Sequence, residues 1–96
     1  MLHVLVKLKV KNFSLLEEYE KQAIAIMKGY HGQLLSAFET HREPDGGGEE
    51  VHILTFPNQQ AFINYQADTN LKLLADLRTQ AICDTEVVLS SSIKSY

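Results

Sequence analysis

Four histidines, His3, His31, His41 and His52, are the side chains whose ordinary pKa lies nearest neutrality, so general acid–base chemistry in this chain runs most naturally through them. They do not form a spaced set. His3, His41 and His52 fall on three separate strand-like segments, and no H-x-H, H-x-x-x-H or clustered carboxylate supplies the third ligand that a metal site needs. If strands one and three are neighbours, His3 and His52 make a pair and no more. No metal is expected, and solvent or interface positions suit these imidazoles better. His31 precedes Gly32 at a helix end, where the dipole favours it. That leaves His41, His52 and the phenol of Tyr65 as the candidate catalytic, proton-handling groups.

Tyr19, Tyr30, Phe62 and Tyr65 recur along helical stretches and can line a cleft, with Arg78 or His41 supplying a polar end for a ligand anion. Aromatic residues at helical spacing also describe an ordinary core, and the sequence leaves both readings open. Cys83 has no His or Asp at a recognisable spacing and is expected to be a buried, inert thiol. Gly46-Gly47-Gly48 lacks the following Lys-Ser/Thr of a phosphate loop and lies between strands instead of before a helix. Lys7, Lys9 and Lys11 form a one-sided row that reads as a solvated strand face.

Composition narrows the partners. Nine Lys and Arg against twelve Asp and Glu give a net charge of −3, so no global positive field recruits nucleic acid or an anionic membrane. An RNA-recognition plait also needs exposed aromatics on its central strands, and strand one has none. A single cysteine makes no intrachain disulfide, and neither a signal-peptide pattern nor a long apolar run is present, so a cytoplasmic location is expected. At 96 residues, 45% hydrophobic and 22% charged, the chain reads as one folded domain over 1–96.

The elements that must position these residues are legible in turn. Leu2, Val4, Val6, Leu8 and Val10 alternate without a miss as a first strand. Ser14 and Glu17 have capping-box spacing, and Leu16, Tyr19, Ala23, Ile26, Met27 and Tyr30 continue as a helical stripe. Gly32 is placed to close that helix in a left-handed conformation. Gln33 to Thr40 reads as a second strand, with Leu34 and Phe38 on one face and Leu35 and Ala37 on the other. The run from Glu43 to Glu49 reads as a hairpin loop, and Val51 to Phe56 as a third strand. Pro57-Asn58 starts a second helix that Asp68-Thr69-Asn70 breaks into two pieces ending at Gln80. Thr85 to Ile93 closes the chain as a strand.

The order strand, helix, strand, strand, helix, strand predicts an α+β ferredoxin-like βαββαβ plait, a four-stranded antiparallel sheet with both helices on one face. The uncovered face would carry His3, Leu5, Lys7, Leu35 and Ala37 with Ile53 or Leu54, apolar enough to seek a second copy in a two-fold homodimer.

Several stretches carry a family likeness. The first strand, Tyr30-His31-Gly32-Gln33, the joint from Ile53 through Phe56-Pro57-Asn58 to Phe62, Tyr65-Gln66-Ala67-Asp68 and Leu74-Ala75-Asp76-Leu77-Arg78 together resemble the dimeric α/β-barrel superfamily. Nearest in likeness are small bacterial proteins of uncharacterised function whose third strand ends in a Phe-Pro-Ser or Phe-Pro-Asp joint. The resemblance implies a plait that dimerises through its sheets, with a ligand cleft between sheet and helices in each protomer. Relatives include cofactor-independent monooxygenases of antibiotic biosynthesis, haem-degrading monooxygenases, muconolactone isomerases and stress-response proteins. The haem-degrading branch uses a Trp that this chain lacks. The expectation is therefore a homodimer that binds a small apolar or aromatic metabolite, with no cofactor. The alternatives are a cofactor-independent monooxygenase or isomerase and a non-catalytic, stress-related interaction module.

Overall fold

In the computed structural model, which describes residues 1–96, the first strand β1 (Leu2–Val10) lies inside a four-stranded antiparallel sheet of order β2-β3-β1-β4. Its neighbours are β3 (Gly48–Phe56) and β4 (Ile82–Ser90), and β2 (Gln33–Arg42) forms the far edge beyond β3. The faultless alternation of β1 explains its place. Leu2, Val4, Leu8 and Val10 are buried beneath the helices, and burying each such side chain contributes about 1.5–3 kcal/mol. This is the ferredoxin-like plait expected from the order of elements.

Helix α1 (Phe13–Lys28) buries Phe13, Leu16, Tyr19, Ala23 and Met27 along one stripe against the sheet. It starts two residues earlier than the Ser14 capping box predicted. Asn12 is the cap, its Oδ1 accepting from the Leu15 amide at 3.0 Å, which leaves Ser14 inside the first turn. At the other end His31, not Gly32, takes the left-handed conformation, with φ 59°. Gly32 is needed for a different reason. A Cβ there would lie 2.5 Å from Met27 Cγ and 2.6 Å from Phe56 Cε1, so only a hydrogen lets this turn close onto the core.

After β3, Asn58 caps α2 (Gln59–Gln66), its Oδ1 accepting from the Ala61 amide at 2.9 Å. The expected break then yields two pieces, a short α3 (Thr69–Lys72) and α4 (Ala75–Ala81). Asp68 causes the first restart, because its Oδ1 accepts from the Asn70 and Leu71 amides at 2.8 and 3.1 Å. Ala81 runs straight into β4, which begins three residues before the Thr85 predicted from sequence.

Strand β2 departs from its simple alternation. Its pairing with β3 shifts between Leu34 and Ser36 and again between Glu39 and His41. The extra residue reverses the faces, so Leu34 joins the core side opposite Leu54 while Phe38, opposite Val51, stands 49% exposed on the other side. On that open face Leu5, Ile53 and Val88 form a cross-strand row, Leu5 37% and Val88 54% exposed. Leu54 faces the helices, which settles the choice between it and Ile53. Lys7 and Lys9 share the open face with Glu49, Asp84 and Glu86, and Lys7 Nζ reaches Glu49 at 3.7 Å, so the basic row is matched by acids. Cys83 is exposed on β4, contrary to the buried thiol expected. No helix is long and apolar enough to cross a membrane.

Candidate functional site

The helices do not cover the inner face of the sheet evenly. One packed cluster gathers Leu8, Val10, Phe13, Leu16, Ala81 and Ile82, and a second gathers Leu2, Val4, Met27, Leu54, Phe56 and Phe62. Val6 touches both, and a cleft of about 340 Å³ opens between them. Its floor is one cross-strand row, Val87 on β4, Val6 on β1 and His52 on β3. Tyr19 and Glu20 of α1, Phe62 and Tyr65 of α2, and Arg78 of α4 form its walls, with Leu71 and Lys72 of α3 at the rim. Small-molecule sites run from about 300 Å³ upward, so this one suits a compact ligand.

His52 is the imidazole that the fold carries into the cleft, and only 4% of it is exposed. Its Nε2 lies 2.6 Å from Glu50 Oε2. Glu50 is two residues back on the same strand, and the period-two geometry of the pleat puts both side chains on the inner face. A carboxylate in this position fixes the orientation of the ring. Across the cleft, burial pushes the Glu20 carboxyl above its ordinary pKa of 4.5; His52 and Arg78 pull it down and Glu50 adds to the rise. Burial likewise raises the Tyr65 hydroxyl, with Tyr19 and Glu20 adding to the effect, so Tyr65 is a neutral hydrogen-bonding group and not a base. Burial also raises Tyr19, whose hydroxyl sits beside the Arg78 guanidinium, which opposes the shift. Arg78 Nη2 donates to Thr85 Oγ1 at 2.7 Å, the threonine coming from β4 opposite Leu8.

Residues 2–91 match the family model described as a domain of unknown function, DUF1330. The chain belongs to the DUF1330 family. No curated protein matches it. Three solved structures are similar to this DUF1330 chain across almost its whole length. A protein of unknown function from Rhodopseudomonas palustris has TM-score 0.79 and 14% identity, covering 98% of this chain and 83% of its own. A protein from Agrobacterium tumefaciens has TM-score 0.73 and 19% identity, covering 98% and 95%. SnoaB, a cofactor-independent oxygenase from Streptomyces nogalater, has TM-score 0.74 and 16% identity, covering 98% and 94%. At these identities the likeness is one of fold: the DUF1330 chain has the ferredoxin-like fold that SnoaB and an antibiotic biosynthesis monooxygenase also adopt.

Of the residues singled out from sequence, Tyr19, His52, Phe62, Tyr65 and Arg78 meet in the cleft of this DUF1330 domain. Two do not. His41 stands exposed near the end of β2, its Nε2 3.6 Å from Glu43, because the second shift in the β2 pairing sets it opposite Glu49 on the open face. Tyr30 lies beyond the last turn of α1 and donates its hydroxyl to Asp68 Oδ2 at 2.5 Å, outside the cleft wall. His3 pairs with Thr55 and faces away from His52, so the two imidazoles that neighbouring strands might have joined are on opposite sides of the sheet. No group of three or more His, Cys, Asp or Glu side chains is placed to hold a metal ion. Sequence reasoning missed Glu20, Glu50 and Thr85. Two of these carried a signal: Glu50-x-His52 has the spacing of one strand face, and Glu20 follows Leu16 by four residues on a stripe that is otherwise apolar.

Proposed function

We propose that this DUF1330 protein binds a small apolar or aromatic metabolite in the cleft and that His52, backed by Glu50, removes an acidic C–H or O–H proton from it. One observation carries the reading: a buried imidazole, 2.6 Å from a carboxylate, on the floor of a mostly apolar cleft. The pair supplies an oriented imidazole base, and Tyr19 and Tyr65 supply neutral hydroxyls for the ligand. A substrate deprotonated there has two courses. Returning the proton to another carbon is an isomerisation and needs no co-reactant. Reaction with molecular oxygen converts a CH2 group to C=O, with the second oxygen atom leaving as water. The fold shared with SnoaB, a cofactor-independent oxygenase, supports keeping the oxygen course.

The test uses phenols, quinols and enolisable aryl ketones, with an oxygen electrode for uptake and NMR for proton exchange. Positioned general bases contribute about 10²–10⁴-fold, so His52→Gln should slow turnover at least about a hundredfold while the circular dichroism spectrum is unchanged. Equal turnover by the variant would remove His52 as the base. Failure of every compound to bind the native protein would remove the cleft as a small-molecule site and favour an interaction module.

The homodimer belongs to the same proposal. Leu5, Phe38, Ile53 and Val88 give the open sheet face a continuous apolar centre with charged residues beside it, a pattern suited to a second copy of the same face.

A further inference from the structure

Arg78 is a charged group of the cleft walls whose polar neighbours are neutral hydroxyls, those of Thr85 and Tyr19. The ion pairs of the molecule are Lys7–Glu49, His41–Glu43, Arg42–Glu39 and His52–Glu50, and Arg78 belongs to none of them. It is half-buried and faces a mostly apolar cavity, where its hydrogen-bond partner is the neutral Thr85 hydroxyl at 2.7 Å. A neutral acceptor fixes the direction of a guanidinium without cancelling its charge. The planar fork that results matches a carboxylate, which it can hold through two parallel N–H donors.

We infer that the Arg78 end of the cleft is a receptor for one carboxylate, so that the ligand is a small aromatic acid and its binding is accompanied by proton uptake at Glu20. This rests on the reading of the cleft as a small-molecule site. The other charges select a monoanion. Glu20 of α1 lines this space and Glu50 of β3 lies close behind it against His52, so a second negative charge on the ligand would be repelled. Glu50 is already paired with His52, whereas Glu20 has neither an ion pair nor a side-chain hydrogen bond. The groups around Glu20 are Tyr19 on its own helix, Glu50 and His52 on β3, Tyr65 on α2, Lys72 on α3 and Arg78 on α4. A carboxylate on Arg78 cancels a nearby positive charge that favours ionised Glu20. Glu20 therefore takes a proton as the acid binds, and affinity for the acid rises as pH falls from neutrality towards the ordinary carboxylate range.

The experiment is isothermal titration of the native protein with matched pairs, benzoate with benzamide and 1-naphthoate with 1-naphthamide, in buffers of different ionisation enthalpy. The acids should bind about tenfold or more tighter than their amides. Arg78→Gln should erase that preference, and Thr85→Val, which keeps the charge but removes its orienting hydroxyl, should weaken the acids several-fold and leave the amides unchanged. Proton uptake should accompany the acids and vanish in Glu20→Gln. Equal binding of acid and amide overturns the carboxylate receptor and leaves the small-molecule cleft standing. Acid preference without proton uptake overturns the role of Glu20. No binding of either member overturns the reading of the cleft on which this inference rests. If Arg78→Gln does not fold, Thr85→Val still decides, because an unchanged acid-to-amide ratio in that variant contradicts the receptor.

Discussion

An imidazole beneath a helical layer must be held in place by something, and here a carboxylate two residues away on the same strand face does so. The Glu50–His52 pair accounts for the burial of His52 and for the chemistry proposed for it. Glu20 tells the complementary story. Burial raises its pKa, so the folded chain holds that proton more tightly than the unfolded chain does. Its carboxylate therefore costs stability once the pH exceeds the ordinary value of 4.5, and the full cost is reached above the raised native pKa. Glu20→Gln should raise the Tm by a few degrees at neutral pH, with the gain fading as the pH is lowered through 4.5 in a thermal melt series. A gain independent of pH would mean that packing, not charge, is responsible. The sequence made His52 visible as a candidate, but not its superiority over His41. Both are histidines on strands, and only the pairing shifts in β2 and the regular register of β3 send one outward and the other inward.

At the scale of elements, strand alternation and turn residues made β1, the hairpin, the Asn58 cap and the broken second helical region legible. The misreadings share a cause, local devices with more than one solution. Asn12 and Ser14 are both good caps, and the choice fell to Asn12 because Phe13 must enter the core at the first position of α1. Asn12→Ala should cost about 1 kcal/mol in chemical denaturation and Ser14→Ala close to nothing; the reverse order would contradict the observed cap. The bulge in β2 had no such signal, since one extra residue inverts a face without changing composition. The link between α2 and α3 is pinned by Tyr30, whose hydroxyl reaches the Asp68 carboxylate that caps α3. This contact lowers the Asp68 pKa, so the latch holds above the ordinary carboxylate range and weakens as Asp68 is protonated in acid. Tyr30→Phe should speed amide hydrogen exchange at Asn70 and Leu71, the two amide donors to Asp68, while leaving α1 protected. Unchanged exchange there would show that the latch does not hold α3.

For the whole molecule, the sheet has two faces with different work. One supports a split core with a cleft between its halves, and the other presents an apolar row edged by charge. The sequence announced the plait and the second face, because both follow from the order of elements and the alternation of β1. The cleft was not legible, since its walls come from β1, β3, β4 and the helical segments, and from a gap between two clusters that no local pattern encodes. If the open face joins two copies, the native protein sediments as a dimer at micromolar concentration, and Val88→Asp, which puts a charge at the β4 end of the row, sediments as a folded monomer. A native monomer would exclude that assembly. The central claim, that the space above His52 is the ligand site, is tested most directly by a 15N NMR titration of the protein with 1-naphthoate. The account predicts shifts concentrated at Val6, His52, Tyr65, Arg78 and Val87, the residues of the cleft floor and walls. Shifts confined to Leu5, Ile53 and Val88 on the opposite face, or no shifts at all, would contradict it.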